Sequence, residues 1–151
     1  DVGPESIWNT LNLLKAERIG HGISAIQDEK LMDYLKEKEI PLEICPTSNL
    51  FTRKYVSNIK DHPVKAFYDR GMIVTINSDD PTLFGSDLVE EYILLYENGI
   101  FNEAEILDLI KKTIFSSFAT DLIPFSIHLL RFLLQHGPPR LLNPGCLYLR
   151  P

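Results

Sequence analysis

Cysteine is scarce in this sequence, and its scarcity excludes two classes of protein. The two cysteines, Cys45 and Cys146, are too few for a disulfide scaffold or for a zinc site built from thiolates. A reducing, cytoplasmic environment is therefore the default expectation. The sequence also has no apolar run long enough to span a bilayer, so we expect no membrane partner.

Basic residues are outnumbered as well. The chain carries 15 Lys and Arg against 21 Asp and Glu, a net charge of −6 at pH 7. Binding to nucleic acid requires clustered Lys and Arg that neutralise phosphates, so no nucleic-acid partner is expected. Two catalytic patterns are absent too. Gly20 and Gly22 do not extend to the third glycine of a phosphate-binding fingerprint, and there is no serine nucleophile elbow.

The remaining composition is that of a globular protein. The 151 residues are 44% hydrophobic and 24% charged, which is enough for one domain with a substantial core. The sequence has no initiator methionine and no leader pattern. It starts at Asp1 almost directly on a helix, so we expect it to begin inside a larger protein.

Three strand–loop–helix units follow that first helix. Strands are predicted near Arg18, Leu42 and Ile73, each followed by polar or glycine-rich residues. Asp28 is a typical N-cap for the helix between the first two strands. Strands that alternate with helices predict an α/β fold with a parallel sheet. The carboxyl ends of such strands are where α/β barrels and open α/β sheets place their chemistry.

The third strand leads into the most informative segment. Residues 73–76 are a buried-strand pattern, and they end on the adjacent carboxylates of Asp79 and Asp80. Pro81 keeps Asp80 out of the helical region, which places the pair at a strand end. Paired carboxylates suit a metal held by one of them, with the other accepting a substrate proton or hydrogen bond. The alternative is an Asp-Asp-Pro turn that caps a helix.

Other polar residues follow the first two strands. His21 lies between two glycines, which allows a tight turn or the close approach of a ligand. On its own it could equally be a turn residue or a core histidine. Residues 46–49 are predicted to form a polar turn, and residues 50–61 a loop that is either a substrate lid or a plain connection. His62 is interpreted as a helix-start residue and not as a metal ligand.

Two helices are predicted after Pro81. In the first, Val89, Ile93 and Tyr96 are expected to share the buried face. In the second, Asn102 and Glu105 have the spacing of a capping box.

The end of the sequence differs in character. Residues 122–151 contain no Asp, Glu or Lys and hold five of the ten prolines. We therefore divide the chain into a domain at residues 1–121 and an atypical, apolar, proline-rich tail at residues 122–151. The tail is expected to be foreign to the preceding fold, as in a truncated or mis-joined reading frame, or else to be a hydrophobic docking segment for another chain.

Three segments together resemble one family. They are RIGHG at residues 18–22, LEICPTSN at residues 42–49 and NSDDP at residues 77–81. In this order and at this spacing they resemble the adenosine/adenine deaminase family of zinc-dependent amidohydrolases, over residues 1–121. The resemblance implies a partial (β/α)8 TIM barrel, of which these segments are the last three strand–helix units. It is not the zinc deaminase class marked by His-x-Glu and Pro-Cys-x-x-Cys.

The resemblance also implies roles for three residues. Asp79 would be the ligand of a single Zn²⁺ ion. His21 would be the catalytic histidine that orients the zinc-bound water and stabilises charge. Asp80 would bind the substrate through a purine ring nitrogen. The implied reaction is the hydrolytic deamination of adenosine or a related 6-aminopurine, with release of ammonia.

Two motifs of the family have no counterpart here. The sequence lacks the paired His-x-His, and it lacks His-Ala-Gly-Glu, which carries a further histidine ligand and the catalytic glutamate. One ligand remains where a catalytic zinc needs about three from the protein, so we expect the chain alone to be inactive and the missing amino-terminal half to be its partner. The alternative is a non-catalytic α/β fragment or degenerate homologue that acts as a partner-binding module.

Overall fold

A computed structural model describes residues 3–118. These residues form a mixed α/β, helix-rich fold with a small parallel sheet. The elements in chain order are α1 (Pro4–Leu13), β1 (Ile19–Gly20), a 3₁₀ helix (Ile23–Gln27), α2 (Glu29–Glu37), β2 (Leu42–Ile44), α3 (Pro46–Thr52), a 3₁₀ helix (Ile59–Asp61), α4 (Val64–Asp69), β3 (Val74–Ile76), α5 (Pro81–Phe84), α6 (Leu88–Glu97) and α7 (Glu103–Phe115).

The sheet pairs its strands in sequence order, β1-β2-β3, and both pairings are parallel. The register places Ile19 beside Leu42 and Leu42 beside Val74. All three residues of β3 are buried, as expected for a parallel strand that is covered on both faces. The predicted parallel α/β arrangement is thus confirmed. Closure into a (β/α)8 barrel, which needs eight strands, stays a prediction.

Helix α2 buries the apolar face that the sequence predicts. In α2, Leu31, Met32 and Leu35 are buried. Asp28 caps this helix, as predicted, by accepting a hydrogen bond from the Leu31 amide at 3.1 Å. Its other carboxylate oxygen accepts a hydrogen bond from Trp8 Nε1 at 2.9 Å, which ties α1 to the start of α2. The predicted capping box at the start of α7 is present as well.

Two predictions of local structure are wrong. Residues 46–52 form helix α3 where a polar turn and the start of a loop were expected. Pro46 sits in the first turn, where its fixed φ favours a helix. The loop prediction also fails at the 3₁₀ helix Ile59–Asp61.

The buried face of α6 also differs from the prediction. Val89 and Tyr96 are exposed, whereas Glu91 and Leu95 are completely buried. One carboxylate oxygen of Glu91 accepts a hydrogen bond from the Thr47 amide at 3.0 Å, while Oε1 has no hydrogen-bond partner among the described residues. A tertiary partner thus determines which face of α6 is buried.

None of the helices within residues 3–118 combines the length and the apolar character that a membrane span requires. Among the described residues, 3–116 cluster as one compact unit. The predicted tail at residues 122–151, and its boundary after residue 121, lie outside the described residues.

Candidate active site

A polar cleft opens at the carboxyl ends of the three strands. Its volume is about 460 Å³, and its lining includes His21 after β1, Cys45 after β2 and Asp79 after β3. The parallel sheet explains this convergence, because parallel strands deliver their carboxyl ends to the same edge. Two of the three predicted site residues, His21 and Asp79, therefore lie together as expected.

Asp79 is held by a neighbouring hydroxyl group. Its Oδ2 atom accepts a hydrogen bond from Ser48 Oγ at 2.7 Å. The backbone of Asp79 has a φ of +58°, a region that residues with a side chain rarely occupy. Such conformations concentrate at functional sites because surrounding contacts must maintain them. Because of this left-handed backbone turn, the side chains of Asp79 and Asp80 point in different directions.

His21 faces Asp79 across the cleft. Its Nε2 atom lies 3.7 Å from Asp79 Oδ2, and its Nδ1 atom lies 3.0 Å from Asn49 Nδ2. His21 also has a positive φ, +54°, and Gly22 follows with a φ of +66°. One side of the imidazole thus contacts Asn49 in helix α3, and the other side faces Asp79 in the segment after β3.

Asp80 points elsewhere. It is exposed, and its Oδ1 atom accepts a hydrogen bond from the Leu83 amide at 2.9 Å as the N-cap of α5. The helix-cap interpretation of the Asp-Asp-Pro segment therefore holds for Asp80. Its role in binding a purine stays a prediction.

Cys45 is the third residue that brings a metal-ligating atom into the cleft. Atoms of His21, Cys45 and Asp79 lie within 4.8 Å of one another. Burial of the Cys45 thiol, together with the negative charge of Asp79, raises its pKa to about 12. Without a metal the thiol is therefore protonated at neutral pH, whereas coordination to a metal would deprotonate it. Among the described residues of this cluster, Asp79 is the one that offers a carboxylate oxygen to a zinc ion.

The structure reveals supporting residues that the sequence patterns did not assign. Ser48 and Asn49, which the sequence placed only in a polar turn, contact Asp79 and His21. His62 lies directly before the N-cap of α4, near the predicted helix start. Its Nε2 atom also lies 3.2 Å from Asn49 Oδ1. Glu91 anchors the start of α3 through Thr47. The polar 47–49 segment was the one available signal, since the contacts of His62 and Glu91 are tertiary.

Comparison with known proteins identifies the family of the chain. The family model described as adenosine deaminase matches residues 1–123. The chain belongs to the adenosine deaminase family. The resemblance of the three sequence segments to this family is thus confirmed. Deaminases of this family are hydrolases.

Three relatives show how far the similarity extends. An aminodeoxyfutalosine deaminase of Streptomyces avermitilis is 49% identical over 117 residues, which are 78% of this chain and 32% of that protein. An adenosine deaminase of Clostridium acetobutylicum is 43% identical over 127 residues, which are 84% of this chain and 37% of that protein. The crystal structure of an adenine deaminase from Arthrobacter aurescens superposes with a TM-score of 0.80 and 34% identity, covering 89% of this chain and 41% of that one. The chain thus spans about a third of the length of the curated relatives it matches.

Proposed function

We propose that this chain forms the carboxyl-terminal part of the active site of a purine deaminase. The substrate class is a 6-aminopurine, as a base or a nucleoside. The observation that carries the proposal is the cluster of Ser48, Asp79 and His21 at the carboxyl ends of three parallel strands. The names of the relatives, adenosine deaminase and adenine deaminase, support the same substrate class.

The reaction is a hydrolysis at the purine carbon that carries the exocyclic amine. The oxygen of water forms a bond to that carbon, the carbon–nitrogen bond breaks, and the nitrogen leaves as ammonia after taking up a proton. A 6-oxopurine is the other product. Zinc bound at Asp79 would supply a water whose pKa is lowered to about 7.

The residues of this chain hold that site in position. Ser48 donates a hydrogen bond to Asp79 Oδ2, which fixes the rotation of the carboxylate. His21 places its imidazole beside Asp79, where it can hold the attacking oxygen and stabilise charge. Asp80 would contact a ring nitrogen of the purine. The contacts of Asp79 with Ser48 and His21 support the proposed roles of Asp79 at the metal and of His21 in catalysis.

The other zinc ligands and the glutamate that protonates the ring belong to the amino-terminal half of a complete enzyme. We infer that this chain is the last part of a (β/α)8 barrel and is inactive alone. The coverage of about a third of each curated relative supports this inference.

A chimera tests the proposal. The segment of the Streptomyces avermitilis relative that aligns with this chain is replaced by the corresponding residues of this chain. Zinc content after dialysis is measured together with deamination, which is followed by ultraviolet absorbance on adenosine, adenine and the relative's own substrate. We expect stoichiometric zinc and turnover from the chimera, and neither from the isolated 151-residue chain.

Two variants of the chimera separate the roles. Asp79→Ala should lose zinc and activity together, because the variant lacks a metal ligand. His21→Ala should retain most of the zinc but react more slowly, because His21 acts on the water and not on the metal. Zinc and full activity in Asp79→Ala, or turnover by the isolated chain, would contradict the proposal.

A further inference from the structure

A row of hydrogen bonds connects the backbone of α4 to the cleft. The Val64 amide lies 3.1 Å from His62 Nδ1, His62 Nε2 lies 3.2 Å from Asn49 Oδ1, and Asn49 Nδ2 lies 3.0 Å from His21 Nδ1. We call these four groups the histidine relay. His62 and Asn49, its middle members, are each only 4% exposed, so water does not compete for these bonds.

The first bond fixes the direction of all the others. A backbone amide can only donate, so His62 Nδ1 must be the acceptor and carry no proton. A neutral imidazole has one ring proton, which then lies on Nε2 and is donated to Asn49 Oδ1. His62 is neutral at pH 7, because burial lowers its pKa to about 4.

The orientation of the Asn49 amide follows from this. Its oxygen faces His62, so its NH₂ group faces His21 Nδ1 and donates to it. Rotating the amide by 180° would set the NH₂ group against the proton on His62 Nε2, and two donors would meet in a buried site. The opposite orientation is therefore excluded as long as His62 is neutral.

We propose that His62 is a positioning residue that, through Asn49, holds the imidazole of His21 in the tautomer with its proton on Nε2. His21 Nε2 lies 3.7 Å from Asp79 Oδ2 and so presents an N–H donor to the cleft. The lone pair of His21 is on Nδ1, where Asn49 occupies it.

The tautomer determines whether His21 can bind a metal. A metal bound at His21 Nε2 would need the lone pair on that atom, and the proton would have to move to Nδ1, opposite the Asn49 NH₂ group. His21, although close to Asp79, is therefore a hydrogen-bond donor and not a ligand. The tautomer is inferred from the hydrogen bonds of the relay alone, whereas the use of this donor in deamination rests on the proposed function.

Nuclear magnetic resonance tests the relay on the 151-residue chain itself, without metal or substrate. Long-range ¹H–¹⁵N spectra of histidine-labelled protein distinguish a protonated ring nitrogen from a bare one. The spectra are recorded at pH 8.5, about two units above the ordinary histidine pKa. His21→Gln identifies the signals of His21 among those of the four histidines.

Asn49→Asp is the decisive variant, because free imidazole already favours the proton on Nε2. The carboxylate keeps the size of the amide and still accepts from His62, but it now presents an acceptor to His21 Nδ1. We expect the His21 proton to move from Nε2 to Nδ1. An unchanged Nε2 proton in this variant would overturn the relay, and so would a proton on Nδ1 in the wild-type chain.

A second pair of variants tests His62 separately. His62→Phe keeps a buried ring but removes the donor, so the Asn49 amide can take both orientations. We expect the His21 tautomers to become mixed. His62→Gln, whose amide group can occupy the place of Nε2, should restore the wild-type signals. Identical His21 signals in wild type and His62→Phe would contradict the role of His62, whatever a deaminase assay of the chimera shows.

Discussion

Replacing Gly22 by alanine tests the packing that aims His21 into the cleft. Gly22 has a φ of +66°, and a Cβ atom added there would lie 2.7 Å from Leu42 Cδ2 and 3.1 Å from Ile19 Cγ2. Leu42 is completely buried between β1 and β3, so its side chain has little room to move. The left-handed conformation costs an alanine about 1–2 kcal/mol. The steric overlap adds about 1–3 kcal/mol, the usual cost of overpacking a core.

Gly99 provides the matched control. Its φ is +67°, but no atom lies within 4 Å of an added Cβ. Gly99→Ala therefore carries the conformational cost alone, and Gly22→Ala should be less stable than this control by about 1–3 kcal/mol. Urea unfolding followed by circular dichroism measures the difference. With a slope of about 2 kcal/mol per molar, the midpoint of Gly22→Ala should be about 0.5–1.5 M lower. Equal midpoints for the two variants would refute the packing argument.

Three further predictions concern charged and titratable groups. In the chimera, Asp80→Asn should keep zinc but raise the activation barrier of deamination by about 2–4 kcal/mol, which corresponds to a rate roughly 30- to 1,000-fold lower. The control Asp87→Asn, at the N-cap of α6, should leave the measured rate unchanged. His62 has a folded pKa of about 4, below the ordinary value, so the unfolded chain binds the additional proton between pH 6.5 and 4. Stability should fall as the pH is lowered through this range, by at most about 3 kcal/mol, and urea unfolding of His62→Gln should lack this part of the fall. In a Cys146→Ser variant, Cys45 should resist alkylation at pH 8 and react on unfolding in urea, because burial raises its pKa to about 12; rapid labelling of the folded chain would contradict this.

Features encoded by residues close in sequence were predictable. The N-cap at Asp28 and the capping box of Asn102 and Glu105 depend on contacts three residues apart, so the sequence alone predicts them. The parallel sheet was predictable as well, because each strand is a short apolar run followed by turn residues. The resemblance to a known family then pointed to His21 and Asp79, which the structure places together.

Features that depend on distant residues were not predictable from these patterns. Glu91 reads as part of the exposed side of α6, yet it is buried because the Thr47 amide, 44 positions away, supplies its hydrogen bond. Helix α3 was missed because its first four residues, at positions 46–49, are as typical of turns as of a helix start. The contact between His62 Nε2 and Asn49 Oδ1 was likewise missed, because Asn49 lies on another element of the fold.

The histidine relay has a consequence for how this site can change by mutation. One amide side chain satisfies two imidazoles, so an exchange at Asn49 alters His21 and His62 together. The donor that sets their order is a backbone amide, which Val64→Pro would delete without altering either ring. Substitutions at these positions are therefore epistatic: a replacement harmful on its own becomes acceptable after a compensating exchange at a second position. A library that varies residues 21, 49 and 62 simultaneously should therefore recover working combinations that contain replacements harmful on their own.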